Sequence, residues 1–210
     1  MNPISSRYPT RTLRSYVRAK IATDPAYDAV FDLVRDSSEP LLDIGCGVGL
    51  LAFYLRSRGV GVPIVGIDHD RRKIDLARAA VNGERDLSFE VADAREHIPF
   101  HGNVVLLDVL HYFSDDDQMR ILRNAAGTGG MVIIRDAIRD GSLRYRATYI
   151  EEAIARAGGW LKADRLNFPT RERIEEAVGS RAEVRPMFGR MPFNNYLFVF
   201  RRSSGGITNA

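Results

Sequence analysis

Short apolar runs alternate with stretches of helical spacing along most of the chain. The first run, residues 40–45, has the character of a buried strand, and from Leu50 the apolar positions Leu51, Tyr54 and Leu55 follow helical spacing. Further apolar runs predict strands at 62–68, 87–92, 103–109 and 130–136. Helical spacing predicts helices at 49–58, 71–82 and 115–126. Near-continuous apolar runs are typical of strands buried on both faces, so the pattern predicts an α/β fold with a doubly wound, mainly parallel sheet.

The two ends of the chain follow a different pattern from the middle. Two short helical pieces, Thr12–Ala22 and Tyr27–Asp36, predict an N-terminal helical cap or lid over residues 1–38. Beyond residue 140, helices are predicted at 143–157 and 170–178. Two closing runs, "AEVRPMFG" and "NYLFVFRR", are too close together for a crossover helix, so we expect them to pair as an antiparallel hairpin. The predicted organisation is a cap at 1–38, a domain at 39–202 and a flexible tail at 203–210.

A glycine-rich loop joins the first strand to the first helix of the alternating part. Gly45 and Gly47 begin a dinucleotide-binding pattern, but Leu50 stands where its third glycine belongs, and no Gly-Lys-Ser/Thr of a phosphate loop is present. Asp68 ends the second strand, about twenty residues beyond the loop, where doubly wound folds place a carboxylate on ribose hydroxyls. Asp93 ends the third strand. Glycines and carboxylates without a cation for a diphosphate favour a nucleoside that carries no phosphate and has a positive centre.

At these residues the sequence resembles the class I S-adenosylmethionine-dependent methyltransferases, of the kind that act on small molecules. "LLDIGCGVG" is similar to their motif I, the strand end at Asp68 to motif II, and "FEVADA" to their adenine-contacting segment. "VVLLDVLHYF" and "GTGGMVIIRD" are similar to motifs IV and V, so the resemblance covers residues 38 to 137. It implies a seven-stranded sheet of order 3-2-1-4-5-7-6 whose last strand is antiparallel.

The resemblance also implies a cofactor, S-adenosyl-L-methionine, which leaves as S-adenosyl-L-homocysteine, and no metal ion. Three glycines would lie beneath the methionine moiety, with Asp43 near its amino group: Gly45, Gly47 and Gly49. Asp68 would hold the ribose hydroxyls, while Asp93 and the backbone of Ala94 would contact the adenine. Asp108 and Val109 would lie beside the sulfonium.

Candidate acceptor residues follow the fourth and fifth strands. His111 stands where a base is needed to take a hydroxyl proton, although it could equally shape the pocket or cap the helix start at Ser114–Asp115. Its neighbour Tyr112 is a candidate substrate contact. Arg135 and Asp136 form a simple ion pair or bind an acidic acceptor.

Aromatic residues after position 140 are the last acceptor candidates. Tyr145 and Tyr149, together with Trp160, pack a cap or line the acceptor pocket. In the N-terminal cap, we expect that deleting residues 1–20 leaves a folded protein that binds cofactor but loses most turnover, because a lid excludes water and completes the acceptor site.

Charge and composition bear on the class of methyl acceptor, the compartment and the presence of a metal ion. The chain of 210 residues has a net charge of +3, spread without a basic stripe, so nucleic-acid binding is not favoured. The single cysteine, Cys46, is interpreted as a packing residue, and a lone cysteine fits a reducing compartment such as the cytoplasm. No apolar run is long enough to span a membrane. The four histidines show no metal-binding spacing.

The function predicted is therefore methyl transfer to a small molecule, most simply to an oxygen, in a bacterial biosynthetic pathway. The segment "FGRMPFNNYLFVFRR" resembles methyltransferases of aryl-polyene or polyketide-like pigment clusters. Two alternatives stay open: an RNA- or protein-modifying methyltransferase, and a protein that binds S-adenosylmethionine without catalysis. The chain is expected to be a monomer or a homodimer.

Overall fold

A computed structural model describes residues 4–157, 166–188 and 194–201. Trp160, Pro192 and the tail predicted at 203–210 lie outside the described residues. Within them, no helix is both long and apolar enough to cross a membrane.

The helices and strands lie close to their predicted positions. The helices of the N-terminal half are α1 Arg11–Thr23, α2 Ala26–Val34, α3 Leu50–Ser57 and α4 Arg71–Ala80. Those of the C-terminal half are α5 Asp115–Gly127, α6 Leu143–Ala157 and α7 Arg171–Val178. The strands are β1 Leu41–Ile44, β2 Ile64–Asp68, β3 Leu87–Val91, β4 Gly102–Leu107, β5 Gly129–Ala137, β6 Glu183–Pro186 and β7 Asn195–Phe200. Two short 3-10 helices, Ser5–Arg7 and Leu110–Tyr112, were not predicted.

The strands form one seven-stranded sheet in the order β3-β2-β1-β4-β5-β7-β6, which confirms the expected fold class. β1 to β5 are parallel to one another, so their carboxyl ends meet at one edge of the sheet. β7 runs antiparallel to both β5 and β6, as the predicted hairpin requires. A ligand of a doubly wound sheet binds outside this carboxyl edge, so the edge is where the site must be sought.

Apolar side chains alternate between the two faces of the sheet and form a separate core on each face. Val105, Ile133 and Leu197 belong to the core packed by α1 to α4. Val104, Ile134 and Phe198, each next to one of these in sequence, belong to the core packed by α5 and α7. Because successive side chains of a strand point to opposite faces, both faces of the sheet are covered, as predicted.

The N-terminal segment is packed into the first of these cores. Ile4, Tyr8 and Val17 are buried there, and the Tyr8 hydroxyl donates to the carbonyl of Val48 at 2.9 Å. The Arg7 guanidinium donates to the carbonyl of Ala80 at 3.1 Å. The segment therefore touches the glycine-rich loop directly, while its action as a lid stays a prediction.

The connection from β3 to β4 contains no helix. Residues 92–101 return from the carboxyl edge to the amino edge of the sheet as an irregular strap that begins with a turn at 94–96. The side-chain amide of Asn124, on α5, donates to the carbonyls of Ala94, Arg95 and Glu96 at 3.1, 3.2 and 2.7 Å. These hydrogen bonds fix the part of the strap that carries the predicted adenine-contacting residues.

Candidate functional site

The glycine-rich loop between β1 and α3 is held in left-handed conformations at three positions. Gly45, Gly47 and Gly49 have φ of 74°, 57° and 83°. A Cβ added to Gly45 would lie 2.4 Å from Cγ2 of Val109, and one added to Gly49 would lie 2.6 Å from Cζ of Phe89. A Cβ on Gly47 would meet nothing within 4 Å. Gly45 and Gly49 are thus required by packing, and Gly47 is the one of the three whose Cα borders open space.

Asp68 ties the end of β2 to this loop. One carboxylate oxygen accepts the N–H of Gly47 at 3.0 Å, and the other accepts the N–H of Asp70 at 2.8 Å. The side chain is almost fully buried. Asp68 therefore stands beside Gly47, and the backbone of the loop is oriented around its carboxylate, while its contact with ribose stays a prediction.

Asp43 is buried below the loop, and its Oδ2 atom has no hydrogen-bond partner among the described residues. Burial, together with the nearby charge of Asp68, raises the pKa of Asp43 from its ordinary 3.8 to about 7. A buried carboxyl without a partner is costly to the fold. A cationic ligand group placed here would offset that cost.

Cys46, in the same loop, is buried, and that burial raises the pKa of its thiol well above the ordinary value. The thiolate that a nucleophile requires is disfavoured, which supports the packing role expected from the sequence.

Asp93 and Ala94 begin the strap after β3. The Asp93 carboxylate accepts the N–H of Arg95 at 2.9 Å and pairs with its guanidinium, and these hydrogen bonds lower the pKa of Asp93. Ala94 is buried. Asp93 thus shapes the start of the strap at the carboxyl edge, and its contact with adenine stays a prediction.

Asp108 and Val109 follow β4 at the same edge. Asp108 has a φ of 58°, which is uncommon for a residue with a side chain. Its carboxylate contacts Arg135 at 2.6 Å and Lys20 at 3.3 Å, while Val109 packs on Gly45. The turn after β4 and the glycine-rich loop are therefore in direct contact.

His111 forms a buried pair with Asp136. Nδ1 of His111 lies 2.6 Å from Oδ1 of Asp136, and the two side chains are 2% and 0% exposed. Oδ2 of Asp136 accepts the N–H of Leu110 at 2.9 Å. The cap of α5 is Ser114, not His111, since the Ser114 hydroxyl accepts the N–H of Asp117 at 3.2 Å. His111 is thus oriented by a carboxylate, as a base would be.

Arg135 and Asp136 do not form the simple ion pair that their adjacency suggested. They point to opposite faces of β5, because side chains alternate along a strand. Arg135 pairs with Asp108 and with Asp24, the latter at 2.5 Å, whereas Asp136 pairs with His111. Both terminal nitrogens of the buried guanidinium already contact carboxylates, so the structure gives an acidic acceptor little to bind there.

Much of the carboxyl edge belongs to a segment that is similar to known proteins. A family described as "Methyltransferase domain" matches residues 41–128, which run from β1 to the end of α5. The matched residues are thus similar to a methyltransferase domain, and the sheet of the chain has the strand order of the class I methyltransferase fold. Over 124 residues the chain is 27% identical to strychnine O-methyltransferase of Strychnos nux-vomica, an alignment that covers 56% of this chain and 33% of that protein. The chain thus spans about a third of the length of this curated relative.

Solved structures of methyltransferases share the fold of this chain. The magnesium protoporphyrin IX methyltransferase of Synechocystis PCC 6803, solved with S-adenosylhomocysteine, superposes with a TM-score of 0.67 at 19% identity, covering 93% of this chain and 89% of that one. The mitomycin 7-O-methyltransferase superposes with a TM-score of 0.63 at 18% identity, covering 85% and 54%. At these identities the likeness concerns the fold.

An aromatic cluster adjoins His111. The Phe168 ring stacks on His111 with centroids 5.1 Å apart, and Tyr112 lies 4.0 Å from the same imidazole. Tyr145 and Tyr149 contact Phe168 at 5.7 and 6.2 Å between centroids. Both tyrosines line a cavity of about 330 Å³ with Arg146 and Ile150. Tyr112, Tyr145 and Tyr149 are thus brought together, while Trp160 lies outside the described residues.

Sequence reasoning missed several residues of the site. Lys20 and Asp24 approach the edge from α1, Phe168 covers His111, and Asp136 was not recognised as the partner of the histidine. The signal for Asp136 was its position at the end of β5, beside the end of β4. Lys20 and Asp24 carried no such signal, because they lie outside the alternating pattern.

No cluster of three or more potential metal ligands exists among residues 4–157, 166–188 and 194–201. A second cavity, of about 340 Å³, lies at the amino edge of the sheet between the strap and the end of α5, lined in part by His97, His101 and Arg123. It is separate from the carboxyl edge.

Proposed function

We propose that this protein transfers a methyl group from S-adenosylmethionine to a hydroxyl oxygen of a small-molecule acceptor. The observation that carries the proposal is the His111–Asp136 pair, which stands after β4 at the edge where the glycine-rich loop and Asp68 meet. A bare binding site for the cofactor needs no histidine oriented by a buried carboxylate.

The residues at this edge fit the cofactor. Gly47 leaves main chain open for close approach, and the unpartnered Oδ2 of Asp43 suits the ammonium group of the methionine moiety. Asp68, held next to Gly47, suits the ribose hydroxyls, and Asp93 and Ala94 suit the adenine. Val109 and Asp108 close the site from β4. When bound, S-adenosylmethionine supplies an activated methyl group on its sulfonium.

The protein's own part in the reaction is to orient the acceptor and to accept its proton. A proton on Nδ1 of His111 donates to Asp136, which makes Nε2 the basic nitrogen of the ring. Asp136 also stabilises the imidazolium that forms when the acceptor hydroxyl is deprotonated. The rings of Phe168 and Tyr112 cover the imidazole, so an acceptor must displace them, and water is excluded once it has done so.

The acceptor proposed is planar and largely apolar. The rings of Tyr145, Tyr149 and Phe168 lie close to one another, and aromatic walls suit a flat conjugated ligand. The names of two similar proteins, strychnine O-methyltransferase and mitomycin 7-O-methyltransferase, support transfer to an oxygen of a small molecule. We extend the proposal to bacterial biosynthesis of an aryl-polyene or polyketide-like pigment, which rests on the sequence of residues 188–202.

Binding and turnover test the proposal in turn. Calorimetry should show micromolar binding of S-adenosylmethionine and S-adenosylhomocysteine and negligible binding of NAD, because the loop lacks the third dinucleotide glycine. Release of S-adenosylhomocysteine with a panel of hydroxylated aromatic and polyene acceptors then reports turnover. His111→Gln should bind cofactor normally and lose roughly 10²-fold or more in kcat, the contribution of a general base.

The matched control is His97→Gln, which makes the same change at the amino edge and should leave kcat unchanged. Tighter binding of NAD would overturn the cofactor assignment. Cofactor binding without turnover on any acceptor would favour the non-catalytic alternative. Turnover on RNA or a protein alone would favour the macromolecular one.

A further inference from the structure

Four charged side chains join α1 to the carboxyl edge of the sheet. The Lys20 ammonium lies 2.8 Å from the Asp24 carboxylate and 3.3 Å from that of Asp108. The Arg135 guanidinium contacts the same two carboxylates, Asp108 at 2.6 Å and Asp24 at 2.5 Å. We call these four residues the α1–edge cluster. It contains two cations and two anions, and the two ion pairs that cross from α1 to the sheet, Lys20–Asp108 and Asp24–Arg135, form only while α1 is docked.

The cluster is largely shielded from water. Arg135 is 4% exposed, and no side chain of the four is more than 30% exposed. Burial acts to raise the pKa of Asp108, but Arg135 and Lys20 outweigh it and hold that pKa below its ordinary value. Burial likewise opposes the charge of Lys20, and the two carboxylates reverse the effect. Removal of one member therefore leaves an uncompensated buried charge, which is strongly unfavourable.

Asp108 joins the α1–edge cluster to Val109, the residue that packs on the glycine-rich loop. Its left-handed φ of 58° is a conformation that persists only when surrounding contacts hold it. Val109, the next residue, is packed so closely on Gly45 that a Cβ there would lie 2.4 Å from Cγ2 of Val109. A change in the turn at Asp108 must consequently move Val109 against the glycine-rich loop.

Helix α1 is otherwise held by a small apolar contact. Val17 is its one fully buried side chain, and Leu13 and Ile21 are partly buried against the same core. The hydrogen bond from Arg14 to the carbonyl of Tyr8 joins α1 only to the segment before it. At its C-terminal end, α1 is joined to the sheet by the charges of the cluster.

We infer that Lys20 and Asp24 are positioning residues for the cofactor site: by pairing with Arg135 and Asp108 they hold the Asp108–Val109 turn against the glycine-rich loop. Cofactor affinity then depends on the docking of α1, although neither Lys20 nor Asp24 belongs to the loop. By linkage, a bound cofactor stabilises docked α1 to the same extent. The inference rests on the proposed binding of S-adenosylmethionine.

Calorimetry with S-adenosylhomocysteine tests this on the full chain. Lys20→Met should weaken binding roughly 5–50-fold, the size of coupling expected between linked sites. Lys20→Arg should restore most of the affinity, because it keeps the cation. The matched control is Arg18→Met, which removes a charge from the exposed side of the same helix and should bind like the wild type. Thermal unfolding of each variant shows whether it is folded.

A double-mutant cycle separates positioning from general loss of structure. If Lys20 acts through the Asp108–Val109 turn, the effects of Lys20→Met and Val109→Ala on the free energy of cofactor binding should not add. The effects of Lys20→Met and Asp93→Ala should add, because Asp93 lies outside that turn. Additivity in the first pair, or wild-type affinity in Lys20→Met, would overturn the inference and leave the proposed function standing. A wild-type protein that binds no S-adenosylhomocysteine would overturn both.

Discussion

Individual glycines of one loop are needed for different physical reasons. All three of Gly45, Gly47 and Gly49 have positive φ, but neighbouring side chains crowd the first and the last, whereas open space adjoins the second. A pattern of glycines in a sequence marks them alike. Only the neighbours that β3 and β4 bring to the loop distinguish the glycine that borders open space from the two that allow close packing.

Alanine substitutions should separate these reasons. Gly47→Ala places a methyl group where a ligand would lie, so we expect it to abolish most cofactor binding while lowering stability by only about 1–2 kcal/mol for the left-handed backbone. Gly45→Ala forces Val109 away and should lower stability by more. Chemical denaturation and calorimetry measure the two effects. Equal losses of stability in the two variants would contradict the distinction.

A second prediction at the residue scale concerns Asp43 and the dependence of stability on pH. Its folded pKa of about 7 exceeds its ordinary 3.8, so the folded state holds the proton more tightly than the unfolded state does. The free energy of unfolding should therefore fall as pH rises from about 4 to about 7, with a total loss on the order of 4 kcal/mol from this group.

Asp43→Asn should remove that loss, so the variant should be more stable than the wild type at pH 8 and of similar stability at pH 4. Urea denaturation at both values measures the difference, and the variant isolates Asp43 from the other carboxylates. A difference between variant and wild type that stays constant with pH would exclude the role given to Asp43.

At the scale of elements, β5 shows how one strand serves two sides of a site. Arg135 contributes to the α1–edge cluster on one face, and Asp136 orients His111 on the other. The period of two along a strand makes this separation unavoidable for adjacent residues. Their placement at the end of β5 was predictable from the apolar run before them, but their partners were not.

The N-terminal elements form part of the core as well as the predicted cover. Ile4, Tyr8 and Val17 are buried, so deleting residues 1–20 should lower the free energy of unfolding as well as turnover. Because the deletion also removes Lys20, the α1–edge cluster implies that cofactor binding weakens too, which differs from the outcome expected from the sequence. Tyr16 is 42% exposed, so Tyr16→Ala should lower turnover while leaving thermal unfolding nearly unchanged. Release of S-adenosylhomocysteine checks both. Undiminished turnover in Tyr16→Ala would show that this face of α1 does not cover the acceptor.

At the scale of the whole molecule, the parallel part of the sheet brings distant segments to one edge. Asp43 lies one residue before the end of β1, Asp68 ends β2, and Asp93 and Asp108 follow β3 and β4, so the parallel arrangement of these strands places all four at the carboxyl edge. The strap after β3 needs no helix, since Asn124 fixes its backbone from α5. The sheet order follows from the strand pattern together with the resemblance.

The sequence by itself determined the periodic elements, the sheet to which they belong and the edge on which the glycines and carboxylates stand. These depend on local signals, namely apolar period, turn residues and motif spacing, which act over a few neighbouring residues. The tertiary structure alone decided which charges pair: Asp136 with His111, and Lys20 and Asp24 with Asp108 and Arg135. Those contacts join residues 25 to 111 positions apart, and nothing in the spacing along a chain specifies which buried charge compensates which.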